Sequence, residues 1–421
     1  MLKRVHFANI VTVPRNNKHV LTFIYPQFRI LLMLIELPKH TEIFGCIKIH
    51  EVQKVLKLES KEIETALLRG FSKEEIDEIL HRLTIVVPIK DEKMHLLDGV
   101  LRSIPLGCNI VVVSNSQRRE KDIFKMERDV ISDFYRVTKH PIALIHQKDP
   151  GLGVVFKEVG YERILDETGF VRNGKAEGMI IGLLLAKRIG SDYVGFVDAD
   201  NYIPCSVNEY VRLYCAGFCI SKTPYAMVRL HWRYKPKVIE DRLYFRKWGR
   251  VSEITNKYLN MLLAVQTGFE TSIIKTGNAG EHAMTMKLAE IMAFSTGYSV
   301  EPYQLIYLLE EFWKGETEYK EAVSSGIEVF QIETLNPHIH EEKGEEHIKE
   351  MLLQSLATIY HSKLSNDKLR NEIVEELKRC GVIKKKSEIK KNVVMSPIAK
   401  IDINEFNKLL DEYSETLIMF G

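Results

Sequence analysis

The chain has 421 residues, of which 45% are hydrophobic and 28% are charged, so it can build a full-sized core under a well-solvated surface. The formal net charge of +2 provides no global field for nucleic acid, and no nucleic-acid partner is predicted. Six cysteines occur without a C-x-x-C pair, which favours a reducing compartment and predicts a cytoplasmic protein.

An apolar run at residues 19–37 follows several basic residues and has some features of a signal anchor. Pro26 and Arg29 interrupt it, and an arginine at the centre of a membrane helix costs about 3 kcal/mol. We therefore predict no membrane span. Residues 1–32 are interpreted as an N-terminal extension, which is an artefact under the hypothesis that Met33 is the true start.

Four short apolar runs without alternation predict buried strands at residues 84–89, 109–113, 142–146 and 193–197. Helical patterns are found at residues 61–83 and 177–189. Strands that alternate with helices indicate βαβ units, so the predicted fold class is α/β with a mostly parallel sheet. After residue 200 a strand is predicted at residues 225–232, and helices at 253–265, 281–294 and 347–364.

Two aspartates, Asp198 and Asp200, follow the fourth predicted strand. In open α/β sheets ligands bind outside the carboxyl ends of the strands. Carboxylates at that position suit a hard divalent cation, which binds few protein ligands together with substrate phosphates. The pattern favours a metal-dependent transferase that acts on a nucleotide-diphosphate sugar, although aspartate is also common in ordinary turns.

The other strand ends are polar as well, which favours a ligand crevice along this edge of the sheet. The first strand ends with Pro88, Lys90 and Glu92, the second with Ser114, and the third with Gln147. Each of these ends, taken alone, is equally compatible with an ordinary polar loop.

Further along the chain, two helix starts carry groups that suit an anionic ligand. Lys175 opens a predicted helix, where its ammonium and the backbone N–H groups could meet a diphosphate. Arg250 and Ser252 open another, and arginine offers a bidentate fork for phosphate or carboxylate. His338 and His340, two residues apart in a polar loop, are candidates to complete a metal site begun by Asp200.

Taken together, these segments resemble the mannosyl-3-phosphoglycerate synthase family from about residue 33 onward. The resemblance rests on VVPIKDEK, VVVSNS, IHQKDPGL, GKAEGM, VGFVDADNY, VRLHWR, KWGRVSEITN, TGNAGEHAM and IETLNPHIH, which occur in this order. It implies a GT-A (Rossmann-like) nucleotide-diphospho-sugar transferase fold with an added α-helical C-terminal region. It also implies a GDP-mannose donor, a 3-phosphoglycerate acceptor, Mg²⁺ or another divalent cation such as Mn²⁺, and transfer with retention.

The resemblance also assigns residues. The residues assigned to donor binding are Pro88, Lys90, Glu92, Ser114, Gln147, Lys175 and Asp198. The residues assigned to acceptor binding are Gly249, Arg250 and Ser252. The residues assigned to metal binding are Asp200 and either His340 or His338. The residues assigned to catalysis are Asp200, Glu281 and Lys175. The implied division is a transferase domain at residues 33–380, with a donor half at about 84–201 and an acceptor and metal half at about 202–345. A basic linker and a C-terminal helix at 381–421 follow.

Several alternatives stay open at this point. Asp91 and Ala176 depart from residues common in the family, so the related glucosyl-3-phosphoglycerate synthases remain an alternative. A sugar nucleotidyltransferase would normally show a glycine-rich loop after the first strand, and a non-catalytic sugar-nucleotide sensor would bind the donor without turnover. Retention is compatible with same-face attack or with a covalent intermediate on Glu281. A homo-oligomer is neither indicated nor excluded.

Overall fold

The computed structural model describes residues 31–38, 40–52, 68–232, 235–239, 242–244, 250–341 and 344–421. Almost all of the predicted N-terminal extension therefore lies outside the described residues, and so does Gly249. Within these ranges no helix is both long enough and apolar enough to cross a bilayer. The cytoplasmic location and the division into domains stay predictions.

Strands and helices alternate along much of the chain. The strands are β1 (Leu31–Glu36), β2 (His40–Phe44), β3 (Ile47–Val52), β4 (Leu68–Ser72), β5 (Leu83–Ile89), β6 (Asn109–Ser114), β7 (Ile142–His146), β8 (Tyr193–Phe196), β9 (Ala226–His231), β10 (Lys237–Ile239), β11 (Arg242–Tyr244), β12 (His282–Thr285), β13 (Phe294–Ser295), β14 (Ile327–Glu333), β15 (His340–Glu341), β16 (Val394–Met395) and β17 (Ile418–Phe420). The helices are α1 (Lys73–Leu80), α2 (Met94–Ser103), α3 (Ile123–Thr138), α4 (Pro150–Glu158), α5 (Lys175–Ile189), α6 (Pro204–Ile220), α7 (Val251–Thr267), α8 (Met286–Ile291), α9 (Val300–Phe312), α10 (Lys320–Ser325), α11 (Glu345–Tyr360), α12 (Asp367–Arg379) and α13 (Ile403–Tyr413).

Ten strands form one sheet in the order β17-β7-β6-β5-β8-β12-β9-β14-β3-β2. Five of its nine neighbouring pairs are parallel, and β5, β6, β7 and β8 form a continuous parallel block. The four strands predicted from apolar runs are these four, and their buried side chains belong to cores on both faces of the sheet. The predicted α/β class with a mostly parallel central sheet is confirmed.

Helix α5 packs directly on the parallel block because glycine lets it approach closely. A Cβ atom added at Gly182 would lie 2.2 Å from Cγ1 of Val86 on β5. Lys175 is the first residue of this helix, so the packing fixes that lysine at the carboxyl edge of the sheet.

Two predicted helices are wrong in part. Of the first, residues 61–67 lie outside the described residues, residues 68–72 form strand β4, which pairs with β1, and of the described residues only Lys73–Leu80 is helical. Within residues 281–294, His282–Thr285 is strand β12, inserted antiparallel between β8 and β9, and only Met286–Ile291 is helical. All four residues of β12 are buried, and periodicity alone cannot separate such a short run from a buried helical turn.

The C-terminal residues add to the far edge of the sheet. The predicted C-terminal helix is α13, and β17 then pairs antiparallel with β7. The Asp149 carboxylate holds this segment, because it accepts hydrogen bonds from the Ser414 and Thr416 hydroxyls at 2.8 and 2.6 Å. Asp149, at the polar end of the third predicted strand, therefore serves the fold.

Candidate active site

The carboxyl ends of five strands meet along one edge of the sheet. Strands β5 to β8 are parallel, and β9 runs in the same direction because β12 is antiparallel to both β8 and β9. The chain leaves β8 through Asp198 and Asp200, and it enters β12 through Glu281 at the same edge. The topology thus brings together carboxylates that are about 80 residues apart in the sequence.

Lys175 is the central cation of a buried acidic cluster. Its Nζ lies 2.6 Å from Oδ1 of Asp198 and 3.1 Å from Oε1 of Glu301, at the start of α9. Burial alone would lower the pKa of Lys175, but the carboxylates of Asp198 and Glu301 outweigh it and raise that pKa above its ordinary value. Lys175 is therefore a fixed positive charge within the cluster.

Glu281 belongs to the same cluster and is almost completely buried. Its Oε1 accepts a hydrogen bond from Nδ2 of Asn201 at 3.0 Å and lies 3.7 Å from Nδ1 of His338. Burial and the nearby Asp198 carboxylate raise the pKa of Glu281. The cluster thus joins three of the predicted site residues, Lys175, Asp198 and Glu281.

Gly280 leaves the space that the ion pair needs. A Cβ atom at this position would lie 2.6 Å from Oδ2 of Asp198 and 2.9 Å from Nζ of Lys175. The absence of a side chain at Gly280 therefore makes room for two of the protein's own side chains.

We expect Gly280→Ala to lower kcat by about 100-fold, because a displacement of roughly 1 Å in a catalytic group can cost that much. Steady-state kinetics with both substrates saturating measure the effect. Gly99→Ala is the matched control, since its Cβ would meet only Cγ of Pro204, at an ordinary 3.6 Å. A kcat of Gly280→Ala equal to that of Gly99→Ala would contradict this role.

The residues predicted to bind a metal lie beside the acidic cluster. The ring centroids of His338 and His340 are 5.0 Å apart, and Asp200 is largely buried. Burial holds the pKa of His338 far below its ordinary value, against the opposing effect of the Asp200 carboxylate, so the imidazole is in its neutral, metal-binding form. In the described ranges, no three carboxylate, imidazole or thiolate groups form a complete set of metal ligands. One carboxylate with one imidazole fits an ion that is also bound by waters and substrate phosphates.

The side chains predicted to contact the donor at the second and third strand ends point into the protein. The Ser114 hydroxyl is buried and donates to Oε2 of Glu127 at 2.6 Å, and Ser116 donates to Oε1 of the same carboxyl at 2.5 Å. Burial raises the pKa of Glu127 to about 7. Ser116 Oγ also accepts from the backbone N of Asp91, which has a left-handed φ of 56°. Ser114 thus helps to shape the loop after β5.

Gln147 has a similar position behind the loop that precedes α5. Its Nε2 donates to the carbonyl oxygens of Arg172 and Gly174, at 2.7 and 3.1 Å. It thereby holds the backbone immediately before Lys175. At the end of β5, Pro88 and Glu92 are half-buried and Lys90 is exposed, so all three are at least partly accessible to solvent.

A second part of the site is a cationic pocket of about 320 Å³ next to the acidic cluster. Its lining includes the cationic Arg250, Lys235 and Lys275 together with Ser252, His231 and one carboxylate, Glu253. Arg250 is the N-cap residue of α7, and its Nη2 donates to the carbonyl oxygen of Lys235 at 2.6 Å. The predicted acceptor residues Arg250 and Ser252 therefore lie together in a pocket that suits a small anion.

Arg229 ties this pocket to the acidic cluster. It is fully buried on β9 and donates to the carbonyl oxygens of Thr276 and Glu301 at 2.7 and 2.9 Å, and to Oε1 of Gln304 at 2.7 Å. Thr276 lines the cationic pocket, and Glu301 is the second partner of Lys175. The two halves of the site are therefore held in one rigid unit.

Several residues of the site were not predicted from the sequence. Asn201 directly follows Asp200, and that adjacency was a usable signal. Lys275 directly precedes the TGNAGEHAM segment and Lys235 lies just after VRLHWR, so their neighbourhood was a usable signal as well. Glu301 comes from a segment without a motif, and only the fold brings it to the site.

The α/β fold with its mostly parallel central sheet is the fold expected for a glycosyltransferase, and the comparisons with known proteins show this class. The family model described as mannosyl-3-phosphoglycerate synthase matches residues 37–410. A mannosyl-3-phosphoglycerate synthase of Pyrococcus furiosus is 55% identical over 393 residues, which cover 92% of this chain and 100% of that protein. One of Aeropyrum pernix is 40% identical and covers 83% of this chain and 91% of that protein. The chain belongs to the mannosyl-3-phosphoglycerate synthase family.

Among solved structures, a glucosyl-3-phosphoglycerate synthase from Mycobacterium tuberculosis in complex with phosphoglyceric acid has a TM-score of 0.49 at 16% identity. The match covers 78% of this chain and 95% of that chain. The likeness is too distant to transfer any site residue of that enzyme to this protein.

Proposed function

We propose that this protein transfers mannose from GDP-mannose to 3-phosphoglycerate with retention and forms mannosyl-3-phosphoglycerate, the precursor of mannosylglycerate. The observation that carries the proposal is the adjacency of two unlike sites. A carboxylate cluster lies at the end of β8, and a pocket with three cationic side chains lies beside it. The first suits a metal-bound diphosphate, and the second suits a small acceptor with more than one negative charge.

In this proposal Asp200 holds the Mg²⁺ or Mn²⁺ ion together with His340 or His338. When bound, the ion supplies charge stabilisation to the departing diphosphate. Asp198 is fixed by Lys175 and lies toward the ribose or the waters of the metal. Pro88, Lys90 and Glu92 contact the donor from the end of β5, while Ser114 and Gln147 support the loops around it.

The negative charge on the leaving diphosphate grows in the transition state, and preorganised cations stabilise such charge most effectively. Lys175 meets this requirement because two carboxylates hold its ammonium in place. Two routes to retention fit the site. The acceptor can attack the face from which the diphosphate leaves, or Glu281 can first form a covalent bond to the sugar.

The activity is tested by incubating the protein with 3-phosphoglycerate, Mg²⁺ and either GDP-mannose or UDP-glucose, and identifying the product by mass and NMR. We expect α-linked mannosyl-3-phosphoglycerate from GDP-mannose. Preferential glucosyl transfer would support the glucosyl-3-phosphoglycerate synthase alternative. Pyrophosphate release from a nucleoside triphosphate would indicate a nucleotidyltransferase, and donor binding without any turnover would indicate a sensor.

For the acceptor, we expect Arg250→Lys to lower kcat/KM for 3-phosphoglycerate by about ten- to a hundredfold, the cost of one charge-assisted hydrogen bond. Lysine keeps the charge but loses the bidentate geometry. The measurement compares 3-phosphoglycerate with unphosphorylated glycerate at saturating donor. If Arg250 binds the phosphate, kcat/KM should fall much more for 3-phosphoglycerate than for glycerate. Equal losses with both acceptors would exclude phosphate binding by Arg250.

A pH dependence is expected from Lys235. Burial lowers the pKa of Lys235 to about 8, with Glu281 opposing this effect and Arg250 adding to it. Its positive charge is therefore present at pH 7 and lost as the pH rises through 8. A phosphate group is already a dianion above about pH 7. We expect kcat/KM for 3-phosphoglycerate to fall between pH 7 and 9, and Lys235→Met to remove most of this fall.

A further inference from the structure

Lys275 lies in the wall between the cationic pocket and a smaller neighbouring one. It lines the pocket of about 320 Å³ that contains Arg250, and it also lines a pocket of about 200 Å³ with Glu51, Gln331 and Glu333. Both pockets are at the carboxyl ends of parallel strands, because His231, which lines both, ends β9, and Glu333 and Val52 end β14 and β3. Lys275 thus lies where the cationic pocket adjoins the second pocket.

The backbone of Lys275 is held on both sides. Its N–H donates to Oε1 of the buried Gln331 at 2.8 Å, and its carbonyl oxygen accepts from Nδ2 of Asn256 at 3.0 Å. Asn256 lies on α7, whose N-cap residue is Arg250. The two cationic side chains are therefore carried by one rigid unit, and the spacing of their anchor points is fixed before any ligand binds.

The charge of Lys275 is only loosely neutralised by its own surroundings. Its side chain is 34% exposed, and its Nζ is 4.0 Å from Oε1 of Glu51, at the outer limit of an ion pair. The other ammonium group of the pocket lies over an aromatic ring: the Nζ of Lys235 is 4.3 Å from the ring centroid of Trp232. Burial and the charges of Lys235 and Lys275 together lower the pKa of His231 to about 4, which places this neutral ring near both ammonium groups.

We propose that Lys275 binds the carboxylate of the acceptor, while Arg250 and Ser252 bind its phosphate. This inference rests on the proposed function. A three-carbon acceptor with an anion at each end needs two cations, and Asn256 ties the backbone of Lys275 to the helix that begins after Arg250. The ammonium of Lys275 exchanges its loose contact with Glu51 for a direct hydrogen bond to the ligand. Lys275 therefore selects acceptors that carry a carboxylate as well as a phosphate.

The test uses the full chain with GDP-mannose saturating and compares wild type with Lys275→Met. Acceptor kcat/KM is measured for 3-phosphoglycerate, and inhibition constants against it are measured for glycerol 3-phosphate, which lacks the carboxylate, and for D-glycerate, which lacks the phosphate. We expect kcat/KM for 3-phosphoglycerate to fall about ten- to a hundredfold. The inhibition constant of D-glycerate should rise by a similar factor, while that of glycerol 3-phosphate stays within about twofold.

Lys257→Met is the matched control, because Lys257 is on α7 but pairs with Glu376 away from the pocket. Lys275→Arg should recover part of the loss, since it restores the charge. The proposal would be overturned if Lys275→Met raised the inhibition constants of D-glycerate and glycerol 3-phosphate by the same factor. An unchanged kcat/KM for 3-phosphoglycerate in this variant would also overturn it. Failure of the proposed function is distinguishable, because wild type itself would then form no mannosylated product.

Discussion

Asp200→Ala is expected to lower turnover by at least about a thousandfold, since under the proposed function the departing diphosphate would lose the carboxylate that holds its metal partner. The fold should survive, because Asp200 is at the start of the loop after β8 and outside the apolar cores. Kinetics with varied Mg²⁺ measure turnover. Calorimetric titration with GDP, with and without metal, measures binding independently, and the variant should lose the metal-dependent part of its GDP affinity.

Asp192→Ala is the matched control for this experiment. Asp192 precedes the opposite end of β8 and pairs with Arg82 on the surface. Its removal should leave both turnover and the metal-dependent part of GDP binding unchanged. His338→Ala and His340→Ala, made separately, identify the imidazole ligand as the one whose loss weakens metal-dependent GDP binding. Full metal-dependent activity in Asp200→Ala would refute the assignment of Asp200 as a metal ligand. Full metal-dependent activity in a variant with both His338→Ala and His340→Ala would refute the assignment of an imidazole ligand.

The second large effect is expected for Lys175→Met, which should lower kcat and raise the donor KM. The ammonium binds more strongly as charge grows on the diphosphate, so its loss affects the transition state more than the ground state. The variant should also be less stable, because removing one partner of a buried ion pair costs roughly 3–5 kcal/mol. Urea unfolding and steady-state kinetics with varied GDP-mannose measure the two effects separately.

A compensating change separates catalysis from stability at this position. Glu301→Gln in the Lys175→Met background removes one of the carboxylates left without a cation, so it should recover much of the stability but not the turnover. Lys187→Met is the matched control, because Lys187 is on α5 and pairs with Glu290 at 2.8 Å, away from the site. If the double variant regains activity together with stability, Lys175 has a structural role only.

The parallel block, and the position of Asp198 and Asp200 at its carboxyl edge, could be predicted from the sequence because their signals are local. Strands covered on both faces must be apolar throughout, and the runs at β5 and β6 are continuous. Asp198 and Asp200 directly follow such a run, so their position at the sheet edge required no knowledge of distant contacts. Helix α5 was recognisable for the same reason, and with it the position of Lys175.

Other features depend on contacts between distant segments. Glu301 meets Lys175 across more than a hundred residues, and nothing in its neighbourhood marks it as a site residue. The direction in which a polar side chain points also cannot be read from its position in the sequence. Ser114 and Gln147 end their strands as predicted, but their side chains bond to Glu127 and to the backbone near Gly174. The strand β12 was missed because its burial comes from its neighbours β8 and β9.

The buried Arg229 has a consequence for how this protein can change over evolutionary time. Its guanidinium joins the pocket loop at Thr276 to the helix start at Glu301, and no shorter side chain could hold both carbonyl groups at once. Inserting or deleting a residue in that loop would also disturb the partner of Lys175. New acceptor preferences are therefore expected to arise by exchanging side chains such as Lys275, while the length and path of the loop remain the same among descendants.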